Sequence, residues 1–204
     1  EDARATIIFE RDMDPWWDAK AARQEWWRVH GIPLYEKRFP HTNTKDPNRV
    51  LRVGYVSGDF RFHSASVVFT PVVLGHSDMF KVYAYSTCEP KEYGALSQEF
   101  CNDTHWRDVH DMTKDALAQT IRDDRIDILV DLSGYTKGRR LETFCMKPAP
   151  VQVTAWGYAL PTELPVFDAF FSDPIHMPQT DRHCADPVGD LPCVVTYSPP
   201  PDCP

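Results

Sequence analysis

Val50-Leu51-Arg52-Val53-Gly54-Tyr55-Val56 opens a series of short β-rich runs that alternate with helix-length segments. Lys81-Val82-Tyr83-Ala84-Tyr85, Ile126-Asp127-Ile128-Leu129-Val130-Asp131-Leu132, Val151-Gln152-Val153-Thr154-Ala155-Trp156 and Ala169-Phe170-Phe171-Ser172-Asp173 continue it, rich in the β-branched and aromatic residues that suit a pleated surface. Between them, residues near 65–75, 91–101, 113–124 and 138–146 carry helical patterns, the third with Thr113 as a cap and Leu117 and Ile121 on one face. Strand-helix-strand alternation predicts an α/β fold with a mostly parallel sheet covered on both faces. Ligands of such sheets bind at the carboxyl ends of the strands, so the residues that follow each strand are the candidates for chemistry.

Outward from this region, Asp14-Pro15-Trp16-Trp17 through His30-Gly31 reads as a helix, with Asp at the N-cap, Pro in the first turn and Gly just past the end. Trp16, Ala19, Arg23, Trp26, Trp27 and His30 recur at three- and four-residue spacings and predict a broad aromatic packing face. Residues 31–49 read as a polar connector. The expected organisation is a helical lead-in and linker over 1–49, the sheet domain over 50–175 and an irregular Pro-rich stretch over 176–204. Tyr197-Ser198-Pro199-Pro200-Pro201 looks like an interdomain connector, and the opening Glu1-Asp2-Ala3-Arg4, without Met or an apolar signal core, like a cut from a longer polypeptide.

The 204 residues suffice for one large domain, and 42% hydrophobic with 25% charged residues excludes a wholly disordered chain. A formal charge of -8 offers no field for a polyanion, which argues against nucleic acid or an anionic membrane as the main partner. The longest apolar stretch, residues 65–74, is interrupted by Ser66, Thr70 and Pro71 and falls far short of the ~20 residues of a membrane helix. Six Cys without a C-x-x-C pair suggest reduced thiols and a cytoplasmic location. His176, His183, Cys184, Cys193 and Cys203 match no zinc spacing, so no metal site is expected.

Two turns carry candidate chemistry. Ser57-Gly58-Asp59-Phe60-Arg61-Phe62-His63-Ser64 follows the first strand and sets a carboxylate and an imidazole four residues apart; a capping role for Asp59 and a packed His63 are the alternative. Asp131-Leu132-Ser133-Gly134-Tyr135-Thr136-Lys137-Gly138-Arg139-Arg140 ends another strand in a glycine-bracketed turn that opens a helix. Its backbone N–H groups, with Thr136 and Lys137, can hold an anion or a substrate backbone. Neither a G-x-x-x-x-G-K-[ST] loop nor a G-x-G-x-x-G after the first strand is present.

Together, residues 51–60 with His63, residues 128–138, Lys147-Pro148-Ala149-Pro150-Val151-Gln152 and Trp156-Gly157-Tyr158 resemble the ordered motifs of glycosyltransferase family 41. These are the protein O-GlcNAc transferases and their bacterial SPINDLY-like relatives. The resemblance covers roughly residues 50–175 and implies a Rossmann-like N-terminal lobe of a two-lobe GT-B enzyme, with residues 1–45 as the helical lead-in that follows tetratricopeptide repeats. It implies inverting transfer of N-acetylglucosamine from UDP-GlcNAc to Ser or Thr hydroxyls of a protein, without a metal or other cofactor, the nucleotide being held mainly by the second lobe. Asp59 and His63 match the family's active-site Asp and His, and Lys137, with Tyr135 and Thr136 beside it, matches the acceptor cleft. Gly157 and Tyr158 match the loop that approaches the donor sugar. On that reading His63 orients the acceptor or relays its proton, Asp59 fixes the tautomer of the ring, and Asp59, His63 and Lys137 share one mouth of the sheet. Residues 157–162 read Gly-Tyr-Ala-Leu-Pro-Thr where the family has Gly-Tyr-Pro-Gly-Thr, and a second family His falls near Arg11 or Asp12. These departures leave open a second reading, a non-catalytic α/β domain of the same fold that binds protein partners.

Overall fold

In the computed structural model, which describes residues 3–46 and 48–195, the strands are β1 (Leu51–Ser57), β2 (Phe80–Ser86), β3 (His105–Asp108), β4 (Ile128–Asp131), β5 (Val151–Thr154), β6 (Ala169–Ser172) and β7 (Val188–Asp190). They form one seven-stranded sheet in the order β3-β2-β1-β4-β5-β6-β7, and each pairing is parallel. This is the expected Rossmann-like α/β architecture. The helices are α1 (Ala3–Arg11), α2 (Ala19–Trp26), α3 (Ile32–Tyr35), α4 (Ser64–Leu74), α5 (Ala95–Asp103), α6 (Lys114–Asp123) and α7 (Leu141–Cys145).

Successive strand residues point to opposite faces, and both faces are covered. Val53, Tyr55, Ala84 and Val130 pack with Phe69 and Val73 of α4 and Phe100 of α5. Val56, Tyr83, Tyr85 and Leu129 pack on the other side with Leu117 and Ile121 of α6, Phe144 of α7, and Ile8 and Trp26 of the lead-in helices. The lead-in is therefore part of one of the two core layers.

Five local expectations are corrected. The Trp-rich helix is capped by Asp18, whose side chain accepts from the Ala21 N–H, and not by Asp14; Asp14 instead accepts from the Trp16 N–H in a preceding turn. Gly31 does not end that helix but lies buried inside it, since a π-helical turn over Trp27–Gly31 carries the chain on into α3. Trp26 is buried as expected, whereas Trp16 is exposed. The connector does not begin at residue 31, since Ile32–Tyr35 are helical, and it is pinned: Asn43 donates to Asp127 at 2.7 Å and Arg49 pairs with the same carboxylate at 2.7 Å, which ties both to the amino edge of the sheet. Finally, the stretch expected to be irregular beyond residue 175 contributes β7, while its Pro-rich tail, Tyr197-Ser198-Pro199-Pro200-Pro201 included, lies outside the described residues.

The loop after β1 is anchored from beneath. Phe60 is fully buried, edge-on to Phe69, Phe100 and Trp106 at 5.6, 4.9 and 5.7 Å, and its carbonyl accepts the Ser97 hydroxyl at 2.7 Å. Phe60→Ala removes that anchor, and urea unfolding should show a loss of about 3–5 kcal/mol.

Candidate active site at the carboxyl edge

The sheet reverses its winding at β1, which lies between β2 and β4. Loops leaving β1 and β4 part there and leave a crevice at the carboxyl edge. A cleft of about 310 Å³ occupies this place. Gly58, Asp59 and Arg61 come to it from the β1 loop, Thr87, Cys88, Glu89 and Glu92 from the β2 loop, His110 from beyond β3, and Lys137 to Arg140 from the β4 turn.

These loops touch one another through backbone. A Cβ on Gly138 would lie 2.8 Å from the Gly58 Cα, and the Thr87 hydroxyl donates to the Gly138 carbonyl at 2.7 Å. Asp59 and Lys137 thus share one cleft, although 78 positions separate them in the chain; His63, expected beside them, is not among the residues that line it.

Asp59 is buried; its Oδ1 accepts from Arg61 at 3.2 Å, and its own N–H donates to the Ser57 hydroxyl at 2.9 Å. His63 stands beside it, partly exposed, as the cap of α4. Its Nδ1 accepts from the Ala65 N–H at 3.2 Å and lies 3.6 Å from Asp59 Oδ2. The expectation that Asp59 fixes the tautomer is corrected, since the helix N–H does so: an acceptor Nδ1 leaves the proton of the neutral ring on Nε2. Asp59 itself is not the cap.

The β4 turn is built around Asp131. This fully buried carboxyl accepts from the Ser133 and Gly134 N–H groups at 3.1 and 2.9 Å and from the Thr154 hydroxyl of β5 at 3.1 Å. Gly134 has φ +51, and any Cβ there would lie 2.3 Å from the Tyr158 ring. Lys137, exposed, is presented three residues later.

Four of the expected substrate contacts lie elsewhere. Tyr135 is fully buried, edge-on to Trp26 at 6.1 Å and donating its hydroxyl to the Thr162 carbonyl at 3.0 Å. Tyr158 is 6% exposed and its hydroxyl is held by Arg23 and Asp12. The Thr136 hydroxyl donates to the Ser133 carbonyl within the turn at 2.7 Å. Gly157 packs against the end of β4, where a Cβ would meet the Leu132 carbonyl at 1.6 Å. The contributions of the β2 and β3 loops have no counterpart among the sequence motifs. Burial, with Glu92 beside it, pushes the Cys88 thiol up to about 12, which disfavours its thiolate. Among the described residues, no group of three or more His, Cys, Asp or Glu side chains is arranged to hold a metal ion. No described helix is long and apolar enough to cross a membrane.

A model of glycosyl transferase family 41 matches residues 24–184. The chain is 34% identical over 189 residues to the probable UDP-N-acetylglucosamine–peptide N-acetylglucosaminyltransferase SPINDLY of Arabidopsis thaliana, covering 89% of this chain and 20% of that protein. It is 37% identical over 137 residues to the probable transferase SEC of the same plant, covering 65% of this chain and 14% of that protein. Among solved structures, a mutant of the Thermobaculum terrenum O-GlcNAc transferase superposes with a TM-score of 0.89 at 31% identity, covering 98% of this chain and 39% of that one. The chain thus spans about a fifth of the length of the curated relatives it matches.

Asp131 gives the site a pH dependence. Burial raises its carboxyl from 3.8 to about 6 against the opposing pull of the Ser133, Gly134 and Thr154 bonds, so the folded chain binds this proton more tightly than the unfolded one. Its contribution to stability is full below about pH 4 and is lost as the pH rises through about 6, a change of up to about 3 kcal/mol. Chemical unfolding between about pH 4 and about pH 7 should show this loss in the wild type relative to Asp131→Asn, whose side chain does not titrate.

Proposed function

The chain belongs to glycosyltransferase family 41, and we propose that it forms the acceptor-side lobe of an inverting protein O-linked N-acetylglucosaminyltransferase that uses UDP-GlcNAc. The observation that carries this reading is the meeting of Asp59 and Lys137 in one cleft where β1 and β4 part. The activities for which the SPINDLY and SEC relatives are named support the donor and the peptide acceptor.

Inverting transfer needs an acceptor oxygen held in line with the anomeric carbon, and a sink for its proton. Asp59 lines the cleft as a carboxylate oriented by Arg61, and is assigned as that sink. His63 offers Nε2–H, because its Nδ1 is taken by the Ala65 N–H, and so orients the acceptor oxygen by donating to it. Lys137, exposed on the rim, holds the acceptor chain. No resident metal or cofactor belongs to this reading. A second lobe that carries the nucleotide and upstream helical repeats do belong to it, consistent with the share of the relatives that the chain spans. Cys88, Cys101, Cys145, Cys184 and Cys193 are free thiols, which supports a reducing, cytoplasmic setting.

Radiolabelled UDP-GlcNAc offered to the two-lobe enzyme with Ser/Thr peptides tests the reading. Transfer is expected, lowered ~10²-fold or more in kcat by His63→Ala. Lys137→Ala should act chiefly on the acceptor KM. The 204-residue chain alone should transfer nothing, since the donor pocket closes between lobes. Preference for another nucleotide sugar would reassign the donor, and the altered residues 159–161 make that comparison worthwhile. Protein binding without any transfer would establish the non-catalytic reading instead.

A further inference from the structure

Asp12, Arg23 and Tyr158 close a hydrogen-bonded ring that the proposed chemistry does not use. One guanidinium nitrogen of Arg23 bonds both Asp12 Oδ1 and, at 2.8 Å, the Tyr158 hydroxyl, which in turn donates to Asp12 Oδ2. The Asp12 and Arg23 side chains are 5% and 7% exposed. Arg23 also lies 5.8 and 5.9 Å from the Tyr135 and Tyr158 ring centroids. A buried ion pair is weak evidence for stability, because desolvation offsets most of its attraction; what it supplies well is direction. Here it fixes where the Tyr158 ring sits.

That ring sits on the cleft's own turn. Its atoms would touch a Cβ of Gly134, whose N–H is held by Asp131, and the same turn presents Lys137. A second arginine makes the same connection. Arg139, which lines the cleft, donates to the Thr6 hydroxyl of α1 at 2.7 Å and to the Tyr135 carbonyl at 3.2 Å. The loop bearing Tyr158 is also held against strain. Trp156 and Glu163 have φ of +53 and +59 at its two ends, and the Asp186 carboxylate accepts from the Thr162 hydroxyl and the Glu163 N–H, both at 2.7 Å.

We propose that Asp12, Arg23 and Tyr158 are positioning residues, a buried ring through which the lead-in helices set the Gly134 turn and hence the place of Lys137 in the cleft. The catalytic readout of this proposal rests on the transferase reading above; its structural readout does not.

Tyr158→Phe keeps the aromatic ring on Gly134 and removes the hydroxyl that ties it to Arg23 and Asp12. In the 204-residue chain, amide hydrogen exchange over residues 133–138 should accelerate at least tenfold while β1 and β2 amides keep their rates. In the two-lobe enzyme, the acceptor KM should rise about tenfold with the donor KM within about twofold of wild type. Added to Lys137→Ala, Tyr158→Phe should raise the acceptor KM no further, because it acts through that lysine. Unchanged exchange over 133–138, or effects of the two substitutions that multiply, would overturn the proposal. Should Tyr158→Phe not fold, Asp12→Asn, of the same size, is measured by the same exchange and the same double substitution, and the same two results would support or overturn the proposal. If the wild-type enzyme transfers no sugar, the transferase reading fails and the exchange comparison alone decides whether the ring positions the turn.

Discussion

The buried carboxyl of Asp131 is the constraint on which the rest of the carboxyl edge depends. β4 ends there, and a chain leaving a central parallel strand exposes N–H groups that no neighbouring strand can satisfy. Asp131 takes two of them, from Ser133 and Gly134, and reaches sideways to Thr154 of β5. The turn therefore has one geometry, with Gly134 at positive φ, and that geometry brings Gly138 against Gly58 and Lys137 to the rim. The Thr87 hydroxyl on the Gly138 carbonyl and the Gly58 N–H on the Ser133 hydroxyl then tie the β1, β2 and β4 loops together around the cleft.

The polar groups near this edge act as anchors for loops, as Asp127 does at the amino edge. Below it, the two core layers are built mainly of apolar side chains, whose packing is tolerant of small changes. At the edge, Ser57, Ser97, Thr87, Asp131 and Thr162 are buried and each is used to hold a loop. Directional bonds in a low-dielectric setting specify position where apolar contact specifies only proximity. Apolar layers are thus enough to make the sheet, whereas the side chains that meet a substrate need bonds to place them.

The central strands are legible in the sequence because a parallel strand covered on both faces must be apolar over most of its length, as Tyr55, Val56, Leu129 and Val130 are. The edge strands escape that rule. His105-Trp106-Arg107-Asp108 of β3 reads as polar chain, and Val188-Gly189-Asp190 of β7 is too short to show alternation. With β3 hidden, what its loop and that of β2 bring to the cleft is hidden too. Asp59 and Lys137 are legible from the turns that carry them and from the family resemblance, and topology brings them together, since residues after parallel strands gather on one edge. Tyr135 and Tyr158 mislead for a different reason: an aromatic ring with a hydroxyl looks the same in a motif whether it meets a ligand or a buried arginine. Arg23 reads as one position of a helical face, and nothing local to residue 23 marks a partner 135 positions away. Gly31 obeys the usual terminator pattern, but the Trp27 ring covers it and the π-helical turn continues past it.

His63 shows how a structural duty narrows a chemical one. The first turn of α4 needs acceptors for its free N–H groups, and His63 supplies one through Nδ1 while the Ser66 hydroxyl accepts from the His63 N–H at 3.0 Å. A ring so engaged has no lone pair left for a substrate proton on that nitrogen, and its other nitrogen already carries hydrogen. On the proposed transferase reading, proton acceptance therefore passes to the neighbouring carboxyl, Asp59, which Arg61 and the Ser57 hydroxyl hold in place from either side of the residue. The capping of one helix thus sets apart, in that reading, two residues that the sequence presents only as a carboxylate and an imidazole four positions apart.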